Sequence, residues 1–469
     1  MKYFFEKKTI GLIIIGISLG LSMGLGFSAF ASKGLTKNVL PILEINRFAS
    51  ALNRVKDVYV DEVADKKLIN SAISGMISKL DPHSVYLDEN AYREMTIDTR
   101  GEFGGLGIEV QMENGVIKVV APIEDTPAAR AGIKSGDLIF QINKKPVRGQ
   151  TLTEAVQKMR GKPGTSIMLS IRRPGVSEPF EVKIIREIIK IKSVRSKRLD
   201  KNIGFIRITS FQENTTPLLV EEIIELYNQG PLNSLVLDLR NDPGGLLSTA
   251  ISVASIFLPE NQTIVTTNGR TPDSKRSYST NNRQFKKFIP SGNKFPFAQI
   301  KKVPMAILIN GGSASASEIV AGAFQDYQRG KIIGLQSFGK ASVQTIIPLE
   351  DRLTAIKLTT ARYYTPKGRS IQVTGIVPDI WVAETKDGHV RTQLREQDFP
   401  GHLDDEKDGN NTLEIKNIDE VIDKPNSDKP KFPKFGSEDD WMLKQAVNFL
   451  TNKTVATIPP KNSKENKSN

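Results

Sequence analysis

The chain has no cysteine and only three histidines in 469 residues. The missing cysteine excludes a disulfide framework, a thiol nucleophile, an iron–sulfur cluster and a Cys-held zinc. His83, His389 and His402 form no H-E-x-x-H motif and no other i,i+4 pair, so a histidine-held metal is not expected. Any enzymatic base must then come from outside the Cys and His-pair repertoire. Long basic runs, zinc-finger spacing and aromatic-plus-basic ribonucleoprotein motifs are also absent. The net charge of +13, from 65 Lys and Arg against 52 Asp and Glu, is therefore read as spread over loops, with no nucleic-acid partner. Hydrophobic residues at 39% are enough for a packed core, and the length suggests roughly two to four domains.

What is present begins with an export segment. Lys2, Lys7 and Lys8 precede an apolar run, Ile10 to Phe30, that ends in Ala29-Phe30-Ala31, an A-x-A pattern. The run is long for a signal peptide and just long enough to span a bilayer, so cleavage after Ala31 and retention as an anchor are both open. In either case the positive charges stay inside and the rest of the chain is exported. Residues 35–95 then carry helical spacing, with Leu68, Ile69, Ala72, Ile73, Met76 and Ile77 on one face and Asp81-Pro82 as a stop. His83, just after that stop, is read as structural.

Residues 96–185 change to glycine turns and short alternating strands. Gly105-Leu106-Gly107-Ile108 opens one strand, Thr126 to Gly132 is a short helix closed by glycine, and Leu138 to Asn143 is another strand. Leu152, Ala155, Val156 and Met159 mark a helix face, and Ser166 to Arg172 alternates as a closing strand. This stretch resembles a PDZ domain. In PDZ domains the Gly-Leu-Gly-Ile type of loop offers backbone N–H groups to a peptide C-terminal carboxylate while the peptide adds as a strand, so the resemblance implies peptide binding at Gly105, Leu106, Gly107 and Ile108.

From 186 to 385 strands and helices alternate, which predicts crossover units and an α/β core. Asn233 to Arg240 and Val303 to Asn310 read as buried strands, and the Lys-rich stretch 270–299 as a surface loop or hairpin. The strand at 303–310 runs into Gly311-Gly312-Ser313-Ala314-Ser315-Ala316-Ser317-Glu318 at a helix start. Ser315 and Glu318 have capping-box spacing. The same placement would expose a serine hydroxyl beside free N–H groups that bind an oxyanion. Both readings stand on spacing alone. Gly334 to Lys340 looks at first like a Walker A loop, but Ala341 stands where Ser or Thr must meet Mg²⁺, and Val343 to Ile347 reads as strand where that loop requires a helix.

Four strings carry a second resemblance: Asp238-Leu239-Arg240-Asn241-Asp242-Pro243-Gly244-Gly245, Asn310 to Ile319, Ser337 to Gln344, and Thr359 to Gln372. They are similar, in family order, to the carboxyl-terminal processing or tail-specific proteases, S41 serine peptidases with a PDZ domain. That family implies a Ser–Lys dyad: Ser315 as nucleophile, Lys340, 25 residues later, as general base, and Gln344 to orient the lysine. It implies an oxyanion hole from the N–H of Ala316 and of Gly244 or Gly245, with Gly245 preferred, and structural support from Glu318 and Asp326. The fold it implies is multidomain, α+β and α/β: a helical region (35–95), a β-rich PDZ domain (96–185), a ClpP/crotonase-like protease core (186–385) and a polar C-terminal extension (386–469). Within that extension Ser437 to Leu450 reads as a docking helix, against its own core or against a partner.

No metal or cofactor is implied. The implied partners are protein substrates with accessible C-terminal tails, cell-wall hydrolases among them, an adaptor protein, a second copy of the chain in a homo-oligomer, and the membrane through the N-terminal segment. The implied location is the periplasm or the outer face of the inner membrane of a bacterium. An inactive PDZ scaffold is the alternative.

The dyad makes physical demands. Lys340 must be neutral to accept a proton, so its pKa must fall from about 10.4 towards 7–8, which burial achieves. Arginine cannot do this. A fully extended run would separate the Cα atoms of residues 340 and 344 by about 13 Å, so a turn or bulge is expected at Lys340-Ala341-Ser342.

Overall fold

The computed structural model describes residues 41–404 and 432–458; the export segment lies outside the described residues. The chain divides into two compact units, Met1–Ala72 and Ile73–Asn469. In the first, the helix Ile42–Val58 buries none of its residues.

The second unit holds the sheets that position the site. Five strands, Ile108–Glu113, Val116–Pro122, Leu138–Ile142, Ser166–Arg172 and Phe180–Ile185, pair antiparallel in that order. Their inward residues, among them Ile117, Val119, Ile139, Leu169 and Ile171, close on Ala155 and Met159 of the helix Leu152–Met159. A Thr151–Glu154 capping box starts that helix, each side chain bonding the other's backbone N–H. This is the sheet-and-helix arrangement expected for the PDZ domain.

Next comes a six-stranded sheet in the order Val194–Leu199, Ile203–Ile208, Ser234–Asp238, Met305–Ile309, Lys331–Gly334 and Ile380–Trp381. Its first pair is antiparallel and the rest are parallel. The strands Ser234–Asp238 and Met305–Ile309 are buried at every position, which is why both read as unbroken apolar runs. Leu235, Leu237, Ile307 and Ile309 face the helices Thr215–Asn228, Leu247–Phe257 and Ala316–Asp326. Val236, Ala306 and Leu308 face the helix Trp441–Leu450. A second, antiparallel sheet contains Val85–Leu87, Ala355–Tyr364, Thr263–Asn268, Arg276–Ser279 and Ser342–Pro348.

Three expectations change. The stretch 270–299 does form a hairpin strand, but it also folds two short helices that carry Phe285 and send Phe295 and Phe297 against it, with Phe285 and Phe295 in the main core. The helix Trp441–Leu450 docks on its own sheet, with Met442 and Ala446 fully buried, and the segment before it brings Glu396 into the interior. The strand irregularity lies between Val343 and Gln344, with Thr360 as the extra residue on the facing strand, and not at Lys340–Ser342. The offset is thus absorbed on the facing strand, where one extra residue is accommodated.

A buried ion cluster ties the C-terminal helix down. Arg240 is 1% exposed and makes paired bonds to Asp238 (2.8 and 2.8 Å) and to Asp440 (2.9 and 2.6 Å), with its guanidinium 4.2 Å from the Phe435 ring. Asp440 also caps the helix through Leu443 N–H. Arg240→Met would leave buried Asp440 without its cation and Asp238 with only Arg207 at 3.0 Å, and we expect it to lower stability by about 3–5 kcal/mol. Urea unfolding reads this as a lower midpoint at unchanged slope.

Candidate active site

The site is built where two of the buried strands end. Leaving Met305–Ile309, the chain makes a tight turn held by Asn310 N–H on Ser313 Oγ (3.0 Å), Ser313 Oγ on Leu239 O (2.8 Å) and Gly312 N–H on Asn310 Oδ1 (3.1 Å). The turn delivers Ser315 at φ 54° and ψ −111°, a conformation L-residues rarely adopt, immediately before the helix Ala316–Asp326. Ser315 and Lys340 line the same cleft, of about 470 Å³, together with Gly244, Gly245 and Gln344.

Glu318 holds the two halves together. One carboxylate oxygen accepts from Ser315 N–H (2.8 Å) and Lys340 N–H (3.0 Å), and the other from Gly339 N–H (2.7 Å) and Ser337 Oγ (2.5 Å). The capping-box carboxylate of the sequence reading therefore also fixes the backbone of the lysine. Burial raises the Glu318 pKa to about 7 against these four bonds. Tyr363 adds a second clasp: its hydroxyl lies between the carbonyls of Ser315 (3.1 Å) and Lys340.

Lys340 has its pKa lowered to about 8, first by burial and then by the Lys357 cation, against the pull of Glu396, Glu318 and Asp81. Near neutrality a useful fraction of such an amine is free to accept a proton. The segment Ser342–Pro348 is a strand, which removes the helix a phosphate loop needs.

Gln344 does not hydrogen-bond the lysine. Its amide nitrogen donates to Ser342 Oγ (3.0 Å) and Thr359 Oγ1 (3.1 Å), and Thr359 Oγ1 donates to Asp81 Oδ1 (3.1 Å). Burial pushes the Asp81 pKa up, but bonds from Ser84, the His83 N–H and Thr359 outweigh it and hold the carboxyl below its usual range. His83 Nε2 meets Glu396 at 2.7 Å, Glu396 accepts from Gln372 Nε2 (2.9 Å), and Gln372 Oε1 accepts from Ala341 N–H (2.8 Å). His83 is thus part of the frame behind Lys340.

The glycine pair is sorted by its bonds. Gly244 N–H is taken by Asp242 Oδ1 (2.8 Å), whereas the N–H groups of Gly245 and Ala316 have no acceptor among the described residues. Glycine is required at both positions. A Cβ on Gly244 (φ 93°) would lie 2.7 Å from Ala316 N, and one on Gly245 (φ 148°) would lie 2.2 Å from Phe211 O. Asp242 is a staple: its backbone oxygen accepts from Ala314 N–H (2.9 Å) and Ser317 Oγ (2.9 Å), its Oδ2 has no partner among the described residues, and burial raises its pKa to about 8. Asp326 supports from the far end of the helix, accepting from Lys367 N–H (2.9 Å) and Arg369 (2.5 Å).

In the first β-rich sheet, the carbonyls of Leu106 and Gly107 accept from Ala128 and Ile123 N–H, while the N–H groups of Leu106 and Gly107 have no acceptor among the described residues. Gly105 ends the strand Glu102–Gly105 and Ile108 begins the next.

The sequence reading missed Tyr363, Asp242, Gln372, Glu396 and Lys357 as parts of the site. For Lys357 the signal was visible: Lys357 sits in the otherwise mostly apolar and threonine-bearing strand Ala355–Tyr364. The others depend on long-range approach.

Comparison with known proteins matches three parts of the chain. Residues 202–382 match peptidase family S41, residues 118–173 a PDZ domain, and residues 30–91 the N-terminal domain described for the activating protease CtpB. A "Carboxy-terminal-processing protease" of Bartonella bacilliformis is 44% identical over 425 residues, covering 89% of this chain and 91% of that protein. A "Probable CtpA-like serine protease" of Staphylococcus haemolyticus is 33% identical, covering 98% of this chain and 89% of that protein. Among solved structures, the photosystem II D1 C-terminal processing protease is similar at 27% identity and a TM-score of 0.39, covering 71% of this chain and 92% of that one.

Asp242 and Glu318 bind a proton more tightly folded than unfolded. The stability this supplies is full below about pH 4 and is lost as pH rises through about 7 and 8. Urea unfolding at pH 5, 7 and 8.5 should show that decline, and Asp242→Asn should flatten it.

Proposed function

The chain belongs to peptidase family S41, as a serine-type, carboxy-terminal-processing protease with a PDZ domain, and on that premise we propose that it captures protein C-terminal tails and cleaves them with a Ser315–Lys340 dyad. The observation that carries this reading is a mostly buried lysine of pKa about 8 lining the same cleft as a serine on a strained turn.

In the proposed reaction the neutral Lys340 amine takes the Ser315 proton as Oγ attacks the scissile carbonyl. The developing oxyanion accepts from Ala316 and Gly245 N–H, the two donors without an acceptor among the described residues. The Lys340 ammonium then gives its proton to the leaving amine. Water, deprotonated by the same amine, later releases the acyl group from Ser315. Gln344 acts from one step back, through Ser342 and the Thr359–Asp81 pair. The free N–H groups of Leu106 and Gly107 support docking of a peptide carboxylate on the PDZ loop, with Gly105 and Ile108 framing it.

The role proposed is processing or degradation of envelope proteins outside the cytoplasm of a bacterium, with cell-wall hydrolases as plausible substrates in kind. The N-terminal segment supports export and membrane association. A homo-oligomer and an adaptor are the partners this reading carries besides the substrate.

Ser315→Ala, Lys340→Ala and Lys340→Arg should each lower kcat/KM on an unfolded protein by on the order of 10³-fold or more. Full cleavage by Ser315→Ala would sink the mechanism, and cleavage by Lys340→Arg would refute a deprotonated lysine. In the wild type kcat/KM should fall about tenfold for each pH unit below about 8.

A further inference from the structure

The cleft contains a second lysine that the dyad does not use. Lys357 lies on the strand Ala355–Tyr364, opposite Ile346 of the neighbouring strand Ser342–Pro348, and it lines the cleft together with Lys340. Among the described residues no carboxylate, carbonyl or ring is paired with its ammonium, and burial lowers its pKa. An unpartnered cation part-way into a protein costs free energy that a neutral side chain would not.

The surroundings of Lys340 show what that cost could serve. Three carboxylates act on the amine: Glu318 from the serine helix, Asp81 from the turn before Val85–Leu87, and Glu396 from the C-terminal segment. Each favours the ammonium, the wrong state for a base. Tyr363, whose phenol is neutral with its pKa pushed well above 10 by burial, offers no positive charge. Asp98, across the cleft on the helix Glu89–Arg100, is a further acid, raised by burial. Lys357 is the cation that acts on Lys340, and its influence there ranks next after burial.

We propose that Lys357 is a positioning residue for the reaction in an electrostatic sense: a fixed cation in the cleft that offsets the surrounding carboxylates and so holds the Lys340 amine in its reactive, neutral form. The idea rests on Lys340 being the base. It differs from a substrate-binding lysine, which would alter KM for acidic peptides and leave the titration of the base alone.

The absence of cysteine allows a clean test. In the full chain, Lys357→Cys introduces the one thiol present. Half of a single preparation is alkylated with 2-bromoethylamine, which restores an ammonium. The other half is capped with methyl methanethiosulfonate, which leaves the position neutral. Both halves share one fold, so a folding defect changes amplitude and not the difference between them. The readout is the acidic limb of kcat/KM against pH on a fluorogenic peptide. In the neutral form the limb should move up by about one pH unit, with kcat/KM at pH 7 about tenfold lower. In the aminoethyl form it should return to within a few tenths of a unit of wild type.

An acidic limb that coincides in the two forms overturns the proposal, whatever happens to KM. Lys340→Arg is run alongside. If it cleaves like wild type, the base assignment itself is lost; if it is inactive while the two limbs coincide, the dyad stands and only the role of Lys357 falls.

Discussion

Burying a lysine amine among carboxylates creates a conflict, and the rest of the site is arranged around it. Loss of water favours the neutral amine, while Glu318, Asp81 and Glu396 favour the ammonium. None of the three is a bare charge. Glu318 accepts four hydrogen bonds, Asp81 is wrapped by Ser84, the His83 N–H and Thr359, and Glu396 is met by His83 and Gln372. Their negative charge is spread over donors that are also the scaffold, so the groups that fix the lysine's position are kept from fully setting its protonation. Of the three, Glu318 grips the backbone of the lysine, while Asp81 and Glu396 are held among the residues around it.

The nucleophile side obeys a different constraint, set by space. The strained backbone of Ser315 persists because the turn is over-determined, by Asn310 and Ser313 from within and by Asp242 from the neighbouring strand end. Asp242 binds the glycine loop with its side chain and the serine turn with its carbonyl, so the two halves of the proposed oxyanion hole are positioned by one residue. Any side chain at Gly244 would fill the space against Ala316 N that a reacting oxygen would need.

Much of this was legible in the sequence, for physical reasons that differ by element. Ser234–Asp238 and Met305–Ile309 were read because strands buried on both faces must be apolar throughout. Leu152–Met159 was read from its helical spacing, and Ser315, Lys340, Gln344 and Gly245 were placed by motif and do line one cleft. What escaped depends on encounters between distant positions. The Arg240–Asp440 pair spans 200 residues, and neither partner carries a local mark of the other. Phe285 and Phe295 sit in a stretch whose many polar and basic residues hid a small aromatic cluster. The displaced bulge shows a subtler limit: an argument from the reach of one strand cannot say that its neighbour will absorb the offset. Gln344 likewise bonds Thr359, a partner that only the paired strands bring within range, besides Ser342 two residues before it on its own strand.

The stretch Trp441–Leu450 is wound, capped by Asp440, seated on the back of the sheet and locked to Arg240 from beneath. Arg240 stands two residues before Asp242, so the tie that seats this helix is fastened to the strand end that holds the glycine loop and the serine turn. The seating of the C-terminal helix and the geometry of the cleft thus share a fastening.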